Sequence, residues 1–249
     1  MTNLDGVYWD LDGTIANTEL EAHLPAFNYA FIDFNLNWEW DISTYIDLLK
    51  INGGKNRITY YSKSIKKSIP AEVISKIHER KQYYYLKLVK DNNLISLKTG
   101  VLRLIKELQK KEVRQFIVTS SSRKQARLII SQLFKELNPF EFIISSDDVQ
   151  FHKPNPLPYL KAMKLSGIKS NNSIVFEDSS AGLKASLAAK LPTIYIPSNI
   201  PTDIDKDIDL DCFIDSLGNE KCKANVIKGP KLESHYVDCA YLEKFLLAL

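Results

Sequence analysis

The chain has 249 residues, 45% of them hydrophobic and 25% charged, which excludes a disordered chain and allows one large domain or two smaller ones. A formal net charge of +3, with Lys and Arg spread among acids, leaves no basic block for nucleic acid. No apolar run reaches the ~18 residues of a membrane helix, so no membrane partner is expected.

The first predicted element is a buried strand over Gly6–Trp9 in GVYWDLDGTIANTE. It starts within six residues of Met1, leaving no room for a cleaved targeting segment, so a cytoplasmic protein is expected. Asp10 and Asp12 follow where the strand meets the turn residue Gly13. In an extended chain residues two apart point to one side, so the two carboxylates should crowd together. Such a pair is costly unless a cation or a shared proton offsets the repulsion.

Residues 17–97 have helical periodicity and almost no strand-like runs. Helices are predicted over Glu19–Phe31, over Trp38–Ile51 with a stop at Gly53-Gly54, and over Ala71–Val89 after Pro70. Tyr83–Tyr85 read as core or interface aromatics. From Thr99 the texture changes to alternation: VLRLIKELQKK helix, RQFIVTS strand, KQARLIISQLF helix, EFIIS strand, PLPYLKAMKLSG helix, SIVFED strand, AGLKASLAAK helix, PTIYI strand. That is the βαβ pattern of a doubly wound, Rossmann-like parallel sheet, which binds ligands at the carboxyl ends of its strands. The predicted organisation is therefore an α/β core of residues 1–16 and 98–249 with a helical cap, 17–97, inserted after the first strand. Beyond Ser216 the pattern is too weak to assign. Cys212, Cys222 and Cys239 form no C-x-x-C pair and read as free thiols of a reducing compartment.

Chemistry collects at the strand ends: Asp10 and Asp12 after the first, Ser120-Ser121-Ser122 after RQFIVT, Lys153 in FHKPNPLPY beyond EFIIS, and Glu177-Asp178 after SIVF. Taken singly, an Asp or Ser there caps a helix or makes a turn, and a Lys is a solvated charge. Taken in order, DLDGT, Ser120, Lys153 in KPNPLPY and EDSSAG resemble the four motifs of the haloacid dehalogenase-like hydrolases, phosphatases and mutases with an aspartate nucleophile. The resemblance implies that Asp10 attacks phosphorus and binds Mg²⁺. It makes Asp12 the general acid and base as well as a backbone ligand, with Glu177 and Asp178 completing the metal site. Ser120 and the Ser121 N–H would hold the transferring oxygens while Lys153 neutralises charge.

The insertion bears on substrate. NTELEAH, NGGKNRITYY and TGVLRLIKEL resemble the CbbY-like branch, relatives of β-phosphoglucomutase that include phosphatases acting on xylulose 1,5-bisphosphate, a Rubisco inhibitor. The resemblance implies that Glu19 and His23 face the sugar, that Lys55 reaches a hydroxyl or second phosphate, and that Arg123 and Lys124 clamp that distal phosphate. The glycines before Lys55 would let a loop approach the ligand, while Glu19 also suits a helix dipole and His23 also suits packing. After EDSSAGLKAS the relatives usually reach an Ala-Gly pair, but here the chain reads LAAKLP. The expectation is a monomeric Mg²⁺-dependent sugar-phosphate phosphatase, with a phosphosugar mutase as the alternative and a non-catalytic sugar-phosphate binder behind both.

Overall fold

The computed structural model describes residues 4–51, 53–91, 95–200 and 204–249. Residues 1–3, ahead of the first strand, and Asn52 of the NGGKNRITYY stretch lie outside the described residues. The chain divides into two compact units, Met1–Asn17 with Leu97–Asn199 and Asp203–Leu249, and Thr18–Ser96 with Ile200–Thr202.

The second of these is helical: α1 Leu24–Asp33, α2 Ile42–Leu49, α3 Gly54–Ser64 and α4 Ala71–Asp91. Its core is aromatic, with Phe27, Phe31, Trp38, Trp40 and Tyr45 buried together. Three of its helices differ from the sequence expectation. The helix expected from Glu19 starts with a π-helical turn, Glu19–His23, in which the N–H groups of Ala22 and His23 both donate to the Thr18 carbonyl. The helix expected from Trp38 starts only at Ile42, where the Asp41 carboxylate accepts from the Thr44 N–H at 2.7 Å; Trp38 and Trp40 enter the core from the segment before it. Gly53-Gly54, expected to stop a helix, instead starts α3. Gly53 sits at φ +88°, and a Cβ on Gly54 would meet the His78 ring at 2.7 Å. The polar sequence GKNRITYYSKS hid this helix, since its only buried residues are Ile58 and Ser62.

The other unit carries the seven strands found among the described residues, β1 Gly6–Trp9, β2 Arg114–Val118, β3 Ile143–Ile144, β4 Ser173–Glu177, β5 Thr193–Tyr195, β6 Cys212–Ile214 and β7 Val226–Lys228. They lie in the order β3-β2-β1-β4-β5-β6-β7, all parallel except β7. Helices α5 Val101–Lys110, α6 Arg123–Phe134, α7 Leu157–Ser166, α8 Ser180–Ala188 and α9 Cys239–Leu247 complete the unit. It is a doubly wound α/β fold. Because helices cover both faces of such a sheet, β1 and β4 are buried along their whole length, and Trp9 stacks on Phe176 at 4.4 Å. The chain winds outward through β2 and β3 and then returns to β4, so the topological switch lies between β1 and β4. Trp9 is in register with Phe176, which places Asp10 beside Glu177 one step further on.

The unassigned tail contributes β7 and α9, the latter capped by Asp238. The two strands before α9 are only three residues each, too short for a period-2 pattern. The departure at LAAKLP has a backbone consequence: α8 ends at Ala188, and Lys190 then takes φ +57°, the left-handed region in which glycine carries no penalty. All three cysteines are free. Among the described residues no helix is long and apolar enough to cross a membrane.

Candidate active site

Strand register brings the acids together. One ligand oxygen from each of Asp10, Glu177 and Asp178 falls within 4.8 Å of the others, and all three residues are buried. The side chain of Lys153 inserts among them. Its Nζ donates to Asp10 Oδ1 at 2.7 Å, to Glu177 Oε1 at 2.6 Å and to the Val118 carbonyl at 2.8 Å. All three ammonium protons are thereby used. Burial drives the Asp10 carboxyl well above the usual carboxylate range, Lys153 opposes that, and Glu177 and Asp178 reinforce it. For Lys153 burial acts downward, but the charges of Asp10 and Glu177 outweigh it and hold the ammonium above its ordinary value.

Each remaining acid is held by its own partners. Tyr159 donates its hydroxyl to Glu177 Oε1, and burial followed by the Glu177 charge pushes the phenol well above its usual range. Glu177 Oε2 is buried with no hydrogen-bond partner. A Cβ on Gly182 would come 1.8 Å from that same oxygen, so glycine is needed there for the carboxylate to fit. A buried, unmatched carboxylate oxygen in an all-oxygen donor set is what a hard divalent cation requires, so the residues present fit a metal ion.

The expected crowding of Asp10 with Asp12 takes a different form. The acids pressing on Asp10 are Glu177 and Asp178, whereas Asp12 turns its Oδ2 to the Ser121 hydroxyl at 2.6 Å. The physical reason is that the strand ends at Trp9, so the side-by-side geometry of extended residues no longer applies to Asp12. Ser120 is exposed at the end of β2. The Ser121 N–H, expected to face the transferring oxygens, donates instead to Thr119 Oγ1 at 3.0 Å, a local turn of the serine/threonine kind.

Of the substrate residues, the hydroxyl of Tyr45 donates to Glu19, and Lys81 Nζ lies 2.6 Å from His23 Nδ1. The His23 ring stacks on Tyr85 at 4.3 Å. Lys55 lies within α3 rather than in a loop, and its exposed Nζ donates to Ser75 Oγ at 3.2 Å. Arg123 is paired with Asp148, and its N–H donates to Asp147 Oδ2 at 2.9 Å; Lys124 is exposed one residue on. Thus Glu19, His23 and Lys55 lie in the helical unit, and the other expected site residues lie in the α/β unit.

A family model of haloacid dehalogenase-like hydrolases matches residues 7–196, a span that takes in every strand-end group above. Protein CbbY of Rhodobacter capsulatus is 32% identical over 197 residues, 78% of this chain and 86% of that one. The chain belongs to the haloacid dehalogenase-like hydrolases, among their CbbY-like members. A solved structure of a CbbY variant from Rhodobacter sphaeroides, in complex with xylulose 1,5-bisphosphate, superposes with a TM-score of 0.76 at 29% identity, covering 86% of this chain and 94% of that one. A β-phosphoglucomutase from Clostridium difficile shares the fold, with a TM-score of 0.68 at 20% identity and coverage of 86% and 91%.

Sequence reasoning missed three groups of this hydrolase. Tyr159 could have been found from its place three residues after KPNP on a helix that follows the lysine. In the helical unit, Arg57 and Lys81 act with Lys55 and His23 on His78, whose pKa is brought down to about 4 by burial first and then by these four neighbours. Lys98, in the α/β unit, is buried just before α5 and donates to the Gly13 carbonyl at 2.7 Å. Nothing in its local sequence distinguishes it from a solvated loop lysine.

Proposed function

We propose that this hydrolase is a Mg²⁺-dependent phosphatase of a ketose bisphosphate, with xylulose 1,5-bisphosphate as the leading substrate. The observation that carries the reading is the trio Asp10, Glu177 and Asp178 at the switch point, with Lys153 bridging two of its members. The three carboxylates, with the Asp12 main-chain carbonyl, would hold Mg²⁺, which when bound offsets the repulsion between a carboxylate and a phosphate. Asp10 attacks phosphorus through Oδ2, since Oδ1 is engaged by Lys153. The phosphorus–oxygen bond to the sugar breaks as the Asp10–phosphorus bond forms, and Asp12 gives its proton to the departing alkoxide. Water then attacks phosphorus, Asp12 takes its proton, inorganic phosphate leaves and the Asp10 carboxylate is restored. The Ser121 hydroxyl orients Asp12 for both transfers. Ser120 and the Ser121 N–H, the latter released from Thr119, bind the transferring oxygens, while Lys153 offsets charge in the loose transition state.

In the helical unit Lys55, Arg57, His23 and Lys81 gather around His78, and this cluster supports binding of an anionic group there. The xylulose 1,5-bisphosphate in the CbbY neighbour supports this choice of substrate class. Free thiols support a reducing compartment such as the cytoplasm. The test is phosphate release from xylulose 1,5-bisphosphate, from a panel of sugar monophosphates and from p-nitrophenyl phosphate, with glucose 6-phosphate formation from β-glucose 1-phosphate as the mutase control. The bisphosphate should give the highest kcat/KM. Lys55→Ala should cost roughly 2–4 kcal/mol in kcat/KM for it while sparing p-nitrophenyl phosphate. No preference for the bisphosphate would remove the substrate assignment, and net mutase turnover would replace it.

A further inference from the structure

The turn that carries the nucleophile is closed by main-chain hydrogen bonds, one of them from the Lys98 N–H to the Ile15 carbonyl at 2.9 Å. After Trp9 the chain leaves the sheet, and the N–H groups of Ile15 and Ala16 both fold back on the Leu11 carbonyl while Gly13 N–H reaches the Ala16 carbonyl. The Gly13 carbonyl has no donor within the turn, and its donor comes from Lys98 at 2.7 Å. The same ammonium also donates to the carbonyl of Pro197, just beyond β5. Lys98 is 8% exposed, so this is a lysine removed from water in order to join two main-chain carbonyls.

Of the two residues so joined, the first, Gly13, lies against Asp178. Gly13 has φ +86°, and a Cβ placed on it would lie 2.0 Å from Asp178 Oδ2 and 3.2 Å from the Ser198 side chain. Thr14, the next residue, donates its hydroxyl to Asp178 Oδ1 at 3.3 Å. The Asp178 carboxylate therefore rests against Gly13 and Thr14, and the segment carrying Ser198 closes in from the neighbouring strand end. Lys98 ties the first of these walls to the second. A hollow of about 120 Å³ beside it, lined by Thr14, Lys98, Pro197 and Ser198, leaves the turn room to move if that tie is lost.

We infer that Lys98 is a positioning residue for the metal-binding acids: by joining the Gly13 and Pro197 carbonyls it fixes the turn against which Asp178 is oriented. The inference rests on the reading that the acid trio binds a divalent cation. Two opposite consequences of removing Lys98 make it testable. As a cation acted on by Asp178 and Asp10, it competes with a metal ion, and its loss by charge alone would tighten metal binding. As a positioning group, its loss would weaken metal binding, because groups that orient metal ligands are worth roughly ten- to a hundredfold in affinity.

The experiment is calorimetric titration of Mg²⁺ and Mn²⁺ into the metal-free full chain, for wild type, Lys98→Met and Lys98→Arg, with thermal melts alongside. Lys98→Met should bind both ions about tenfold or more weakly, and Lys98→Arg, which retains donors for two carbonyls, should recover most of the loss. Should Lys98→Met fail to fold, Lys98→Gln, which can still reach one carbonyl, serves in its place and should fall between the other two. Tighter metal binding in Lys98→Met would overturn the inference in favour of simple charge competition. A lowered melting temperature with unchanged metal affinity would overturn it in favour of a purely structural lysine. A wild-type chain that binds neither ion would refute the metal reading itself, and the inference with it.

Discussion

The two units concentrate charge in opposite ways. In the α/β unit one buried lysine sits among carboxylates, and Lys153 bridges Asp10 and Glu177 with each charge answered within about one hydrogen-bond length. In the helical unit Lys81, Lys55 and Arg57 gather with His23 around His78, and burial first, then these neighbours, brings its pKa down to about 4. In the first arrangement the carboxylates, with Asp178, still outnumber the lysine, an excess of negative charge that a divalent cation would offset. The second is self-repelling, a cost that a bound anion would lower.

The largest effect expected bears on the acid side of this comparison. Asp10→Asn should lower turnover by at least about three orders of magnitude while the protein stays folded, because an amide does not attack phosphorus; normal phosphate release by that variant would sink the mechanism. Next is the matched pair. Lys153→Met leaves two buried carboxylates without their cation and should destabilise the metal-free protein by about 3–5 kcal/mol in denaturant titration, with added Mg²⁺ restoring part of it. No loss of stability would mean that the acids protonate at little cost.

The cation side is read by pH. His78 has a folded pKa of about 4 against 6.5 unfolded, so between those values the unfolded chain binds more protons than the folded one. Stability from keeping it neutral is therefore full above about pH 6.5 and is lost as pH falls toward 4, by no more than about 3 kcal/mol. Comparing wild type with His78→Gln across that window isolates the contribution, and parallel curves would show that the cations do not press on His78. The smallest effect is a gain that leaves both charge clusters alone: Lys190→Gly should raise stability by about 0.5–1 kcal/mol by relieving the left-handed backbone after α8. A drop in melting temperature would mean that Lys190 makes a contact worth more than the strain.

The acid rim was legible because β1 and β4 each announce themselves by an apolar run with acids at or just beyond its end. The parallel register of β1 with β4, which only the structure gives, then places Asp10 beside Glu177. What the sequence concealed has physical reasons. Helix α3 hid because its core-facing side is little more than Ile58 and Ser62, and the glycines before it signal both stops and starts. Lys98 hid because a lysine buried by main-chain carbonyls looks, in sequence, like any loop lysine. Arg123 was expected to be available for phosphate, and it is paired with Asp148, an acid that only the β3 end brings near. The strand end at Trp9 was legible, but the path of the chain beyond it, which turns Asp12 to Ser121, is set by contacts distant in sequence.

The position of the helical unit in the chain also sets the order in which the acid rim can be assembled. Gly6 of the central strand pairs with Arg114 on one side and Ser173 on the other. During synthesis β1 is therefore made first and waits, unpaired, while the whole of Thr18–Ser96 is translated. Contacts within that segment, such as those of α1 with α4, close over shorter loops than those of the sheet, whose closure is the slower process. Asp10 is made well before Glu177 and Asp178 and gains them as neighbours only after β4 has docked, so folding of the rim cannot run ahead of translation of the fourth strand.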